Sequence, residues 1–402
     1  MENVVSEKKE QKIDKTGRII EADFLRTLCC LGVVMIHVSG LTLAAVAKSG
    51  FITEAVFVTL NQIVRYSLFG FVFLSGLLLT VRQKDEKFNA FDFIKRRGAV
   101  ILLPYIAFCI IYFFWSAAIG KPIITQTILA FSGNFEYIKL FIARVLYGTW
   151  SHLYFFCMLF QLYLVYAIFH TQINKILAKK QSAIICFGII LALYPLWRYL
   201  QIFVQHYPNV ITNTIVLYAI KSPTRQLFEW VFAFYVGLMS GVYYKEIFLI
   251  LAVKRVRIIL GAIAVLSLLS MIYVLGFPPS GASWVYNYSW AIFTLIYSFC
   301  ATYLFLFWGK KLYEKGKNFT LISSVAAYSF GIYLLHPLIL SLLRDISGFS
   351  PSYALLNISP YLYLPIIFAL AVIVPYCMVD VSTKAAKKYR RYSYIHRFLF
   401  GR

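Results

Sequence analysis

Three ionisable residues stand inside one apolar stretch, "EADFLRTLCCLGVVMIHVSGLTLAA". Arg26 and His37 are eleven positions apart, which on an α-helix leaves them about 20° apart in azimuth and roughly 16 Å apart along the axis. They share one face, and Asp23, three residues before Arg26, is spaced to pair with it. A polar stripe of this kind costs several kcal/mol against lipid, so it should face a cavity or partner side chains. Two readings stand for each member. Arg26 is a snorkelling charge anchored at the membrane edge or part of a stripe that faces a polar cavity or partner side chains. His37 is an inter-helix hydrogen-bond residue, or it is a base, acid or proton relay, because its ordinary pKa lies nearest neutrality.

Further candidates are spread along the chain. "SLFGFVFLSGLLLT" carries Ser75 and Gly76, a small-residue step that permits close helix packing. In "RQKDEKFNAFDFIKRRGAVILLPY" the cations Lys95, Arg96 and Arg97 cluster; they read as membrane-edge anchors or as a phosphate-binding patch for a nucleotide-bearing cosubstrate. "YGTWSHLYFFCMLFQLYLVY" puts Trp150, His152 and Tyr154 at an expected interface, where aromatics are usual and His152 is not. Glu229 follows Arg225 by four residues and is either its ion-pair partner or a ligand for an acceptor hydroxyl. His336 precedes Pro337, whose missing N–H frees a backbone carbonyl that the imidazole could satisfy.

The elements that must position these residues are membrane helices. Of 402 residues, 61% are hydrophobic and only 14% charged, well below the charged share of a water-soluble chain. Apolar runs of about 20 residues recur throughout, each long enough to cross a hydrocarbon core. The expected fold is an all-α integral membrane protein of ten spans, at roughly 22–44, 56–81, 98–119, 152–171, 182–204, 226–244, 257–276, 287–308, 319–344 and 361–381. The expected organisation is a disordered tail over 1–20, one membrane domain over 21–381 and a basic tail over 382–402. No removable leader is expected.

The tail before span one, the loops 82–97, 170–181, 243–257 and 309–318, and the segment 382–402 hold 29 of the 39 Lys and Arg residues. By the positive-inside rule both termini and these loops are cytoplasmic. The net charge of +23 thus describes topology rather than a nucleic-acid partner, while the basic face would attract anionic lipid or a phosphorylated cosubstrate. The loops 120–151 and 205–225 are rich in apolar and aromatic residues and could roof an outer cavity. Seven cysteines without ligand spacing support neither disulfides nor a metal site and read as small core residues.

Taken in order, Asp23, Arg26 and His37, then "FLSG", "FIKRRGAVILLPY", "HLYFFCMLFQLYL" and "YSFGIYLLHPLIL", resemble the membrane acyltransferase family 3 over about residues 20 to 380, and most closely its polysaccharide O-acyltransferase branch. The resemblance implies a ten-helix enzyme that moves an acyl group, acetyl or succinyl, from cytoplasmic acyl-CoA to a hydroxyl of an extracytoplasmic glycan. It carries the hallmark pair onto Arg26 and His37, with Asp23 beside them, and donor binding onto Arg96 and Arg97, to which Lys95 and Ser75 are added. Val100 stands where the family often has a second basic residue. Trp150, His152, Tyr154 and Glu229 are the expected acceptor-binding set, by sugar stacking and hydroxyl recognition. No tightly bound cofactor is implied; the partners are acyl-CoA, the glycan, membrane lipid and a polysaccharide synthase, in a bacterial cytoplasmic membrane. His37 acts as a general base or as a transient acyl carrier. The rival readings are an exporter of a surface polysaccharide or lipid-linked saccharide, and an inactive membrane scaffold.

Overall fold

A computed structural model describes residues 19–46, 50–81, 88–119, 151–207, 227–276, 283–345, 355–356 and 358–401. Among them the elements are all helical. They run α1 (Ile20–Val46), α2 (Phe51–Ile63), α3 (Tyr66–Thr80), α4 (Ala90–Ala118), a single tight turn Ser151–Leu153, α5 (Tyr154–Ile168), α6 (His170–Ala178), α7 (Lys180–His206) and α8 (Leu227–Val242). They continue as α9 (Tyr244–Ala252), α10 (Lys254–Gly276), α11 (Ser283–Glu314), α12 (Thr320–Asp345), α13 (Pro360–Lys388) and α14 (Arg390–Phe400). Eight helices are long and apolar enough to cross a membrane, with α2 and α3 counted as one. The number is up to ten, the number the hydropathy predicts, when each of the bent pairs α5–α6 and α8–α9 is counted as one span.

The bends themselves were not expected. Segments read as loops over 170–181 and 243–257 are largely helical, and α6 and α9 turn away from their spans by 76° and 92°. The cause is visible in α6, where Ile173 and Leu177 are four residues apart and point inward, while Thr171, Gln172 and Lys175 are exposed. Such an amphipathic turn belongs along a surface rather than across a bilayer. The Tyr243 hydroxyl donates to the Leu177 carbonyl at 2.6 Å and ties the two bends together.

Close packing is concentrated where α3 meets α8. A Cβ at Gly76 would run into the backbone of Phe234 and Leu238, and one at Gly237 into the backbone of Phe73. Thr80 Oγ1 donates across the same seam to the Leu238 carbonyl at 2.8 Å. Lipid supplies no hydrophobic drive between helices, so backbone approach of this kind is what holds them. The outward faces are apolar instead: Ile184, Ile185, Leu193 and Leu196 on α7, and Ile258, Ile259, Leu266 and Leu269 on α10, are all exposed. An apolar surface this extensive belongs in a membrane.

Two sequence readings change in detail. The seven cysteines are free, but Cys377 is exposed on α13 rather than part of the core. Residues 382–388 continue α13, and 390–400 form α14, which folds back onto α4, α12 and α13. Phe400 reaches the ring of Phe108 at 6.4 Å, and Ser382 Oγ lies 2.9 Å from His396 Nδ1. Gly401 closes the helix in the left-handed region, φ 71°, and a Cβ there would meet the Val100 carbonyl. Glycine is required on both counts.

Candidate functional site

On α1 the stripe forms as its spacing predicts. Glu21 and Asp23 occupy the first turn, where acidic groups complement the helix dipole. Asp23 Oδ1 pairs with Arg26 Nη1 at 3.5 Å, with both side chains partly buried. Three turns further on, His37 faces two histidines from distant parts of the chain. Its ring centroid lies 5.1 Å from that of His336 and 6.4 Å from that of His152, and the latter two are 5.4 Å apart.

Each member is delivered by a different device. The tight turn before α5 swings His152 into the bundle instead of leaving it at an interface, so that only 2% of it is exposed. The Tyr333 hydroxyl donates to the His152 carbonyl at 2.8 Å and holds that turn, while Tyr112 and Tyr333 flank the imidazole with centroids at 5.5 and 5.1 Å. Both ring nitrogens of His152 lack a hydrogen-bond partner.

His336 is fully buried on α12, and its Nδ1 lies 3.1 Å from the Ile332 carbonyl. A carbonyl only accepts, so Nδ1 carries the proton and Nε2 keeps its lone pair. Nε2 has no partner. The bond goes to the carbonyl one residue before Tyr333, whose carbonyl Pro337 leaves without its helical donor, and the other side of the ring is aimed among the histidines. Among the described residues no three His, Cys, Asp or Glu side chains converge as a metal-binding group. The cluster is suited to handling protons: imidazoles from three parts of the chain face one another, and both ring nitrogens of His152 and Nε2 of His336 have no partner.

A second polar group lies beside His37 and was missed from the sequence. At the break between α2 and α3, Arg65 Nη2 donates to Asn61 Oδ1 at 2.6 Å and its guanidinium lies over the Trp290 ring at 5.3 Å. Asn61 Nδ2 in turn donates to Ser39 Oγ at 2.9 Å and to the Ile36 carbonyl at 3.1 Å, both on α1. Gln62 completes the set, donating to Asn61 Oδ1 at 3.0 Å and accepting from Trp290 Nε1 at 3.0 Å. The charge of Arg65 reaches the His37 ring, and the Tyr154 hydroxyl lies within electrostatic range of Arg65. A signal was available: "NQIVRY" places an arginine and two amides inside an apolar run, the same anomaly that marks α1.

The remaining candidates are dispersed. Arg97 lies over Phe93 and Tyr163, at 5.6 and 5.2 Å, while Lys95 and Arg96 are exposed. Ser75 donates to the Phe71 carbonyl of its own helix at 2.9 Å. By the alternating course of the helices the basic patch is at the same end of the bundle as Arg26, but α4 packs on α5 and α14, whereas α1 packs on α3, α11 and α12. Glu229 is paired with Arg198 of α7 at 3.2 Å and accepts from the Tyr194 hydroxyl at 3.3 Å. That partner was not anticipated; Arg225 lies outside the described residues, as does Trp150. The structure brings together His37, His152 and His336, with Tyr154 close by, and sets Glu229 on the α7–α8 side.

Comparisons with known proteins find relatives along the length of the chain. A protein of Staphylococcus aureus (strain MRSA252) named "Probable poly-beta-1,6-N-acetyl-D-glucosamine export protein" is 25% identical over 395 residues, covering 95% of this chain and 96% of the relative. A protein of Bacillus subtilis (strain 168) named "Putative membrane-bound acyltransferase" is 25% identical over 158 residues, 39% of this chain and 41% of the relative. No solved structure matches this chain significantly. The sequence model of the acyltransferase domain, family 3, matches residues 19–380, which takes in the Asp23–Arg26 pair and all three clustered histidines, and the chain belongs to that family.

Proposed function

We propose that this membrane acyltransferase moves an acetyl or succinyl group from cytoplasmic acyl-CoA to a hydroxyl of an extracytoplasmic surface polysaccharide, working in the cytoplasmic membrane of a bacterium. The observation that carries this reading is the cluster of His37, His152 and His336, which lies further along the helix face that begins at Asp23 and Arg26. A thioester arm entering beside Arg26 would end among imidazoles. There the acceptor oxygen attacks the thioester carbonyl carbon, its proton passes to His37, the C–S bond breaks, and the coenzyme A thiolate leaves and takes up that proton. Two further imidazoles within about one ring's distance provide a route for the proton, which favours the base role of His37 over an acyl-carrier role. Exposed Lys95 and Arg96 would hold the phosphates of the donor. A polysaccharide synthase in the same membrane would supply the acceptor.

Export of a polysaccharide is the second reading, favoured by the name of the staphylococcal relative. The two are separated by following label from [14C]acetyl-CoA into surface glycan in membranes carrying the parent chain or His37→Ala. Acyl transfer predicts loss of label on the glycan with the amount of external polymer unchanged. Undiminished labelling in a stably expressed His37→Ala protein overturns the enzymatic reading, and loss of the polymer itself favours export.

A further inference from the structure

We infer that Arg65 is a catalytic residue of this site, the donor that stabilises the negative charge developing on the acyl carbonyl oxygen. The inference rests on the acyl-transfer reading above. Its starting point is how incompletely Arg65 is used. A guanidinium has five N–H donors, yet among the described residues this one makes a single hydrogen bond, to Asn61 at 2.6 Å, and its buried Nε has no partner there. An uncommitted buried donor is costly, and a ligand that accepts from it is one way to satisfy it. Arg65 is also held in place: Trp290 covers one face of the guanidinium, and the amide of Asn61 is fixed in turn by Ser39 and the Ile36 carbonyl.

The Ser39 and Ile36 that anchor this network flank His37 in sequence, so one short piece of α1 registers the imidazole and the guanidinium together. The break between α2 and α3 at Val64 and Arg65 lets that side chain approach from a helix that would otherwise pass by. When the acceptor oxygen bonds to the carbonyl carbon, the π pair of the C=O moves onto oxygen while the hydroxyl proton goes to His37. An oriented N–H at that oxygen binds the tetrahedral anion more strongly than the neutral thioester, and this difference accelerates the step. When the C–S bond breaks the pair returns to the carbonyl, and Arg65 ends as it began. Arg26, one end of the stripe away, is too far along α1 to serve the same oxygen as His37.

The test uses the full-length chain in native membranes with labelled acetyl-CoA and the surface glycan of the expressing strain. Arg65→Gln should lower kcat by about 100- to 1,000-fold, with KM for acetyl-CoA within twofold of the parent. Arg65→Lys, which keeps the charge and much of the length and so the fold, should recover part of the rate. Inhibition by a coenzyme A analogue carrying an anionic tetrahedral phosphonate in place of the thioester supplies a readout that a structural role would not move. The parent should bind it more tightly than acetyl-CoA, and Arg65→Lys should narrow that margin. A rate within threefold of the parent in either variant, or an unchanged margin in Arg65→Lys, overturns the assignment. Absence of acyl transfer in the parent itself would instead remove the reading on which it rests.

Discussion

At the scale of single residues, the site is a matter of which imidazole nitrogens are spoken for. His336 has its Nδ1 proton committed to Ile332 and its Nε2 uncommitted, so under the proposed mechanism it would receive a proton relayed from His37. His336→Ala should therefore lower glycan acylation on the order of 100-fold, measured per amount of membrane-inserted protein, the usual loss when a positioned acid–base group is removed. The pair Arg26 and His37 could be read from the sequence because both lie on one helix, where spacing is geometry. His152 and His336 could not be assigned to it. They come from 115 and 299 residues further along the chain, and only tertiary packing turns a histidine expected at an interface and one expected at a kink toward a shared centre. Arg65 was legible as an anomaly of charge in an apolar run, but its role depends on partners from α1 and α11 that no local pattern indicates.

At the scale of helices, the spans follow from hydropathy, and their joints do not. Where α3 crosses α8, glycine is needed because backbone occupies the space of a side chain. Gly76→Val should destabilise the protein by about 3 kcal/mol, seen as a lower melting temperature in detergent, because the obstruction is the main chain of Phe234 and cannot swing aside. Gly188→Ala on α7 is the matched control: nothing lies within 4 Å of its missing Cβ, and alanine should leave stability unchanged or raise it by about 0.5–1 kcal/mol. The Arg198–Glu229 pair joins α7 to α8. Glu229→Leu alone strands a buried cation and should cost about 3 kcal/mol, and adding Arg198→Met should restore most of it, as a thermal-melting cycle would measure. An i,i+4 ion pair was one of two readings from sequence; a partner on the preceding span is invisible there.

At the scale of the whole molecule, the distribution of Lys and Arg predicts that both termini lie on the cytoplasmic side. A cysteine introduced at Ser382 should resist a membrane-impermeant maleimide in intact cells and react in inverted vesicles; the reverse result would turn the topology over. Hydropathy was enough to find the spans, since it reflects each segment's own solvent. The docking of α14 was not legible, because "YRRYSYIHRFLF" reads equally well as a helix lying on lipid. Its position has a consequence for biosynthesis. α4 enters the membrane third, yet the helix that covers Phe108 and rests on the Val100 carbonyl emerges from the ribosome only after the tenth span. Until then α4 sits in the membrane without the helix that covers it, and its Phe108 face stays open while the remaining spans are translated.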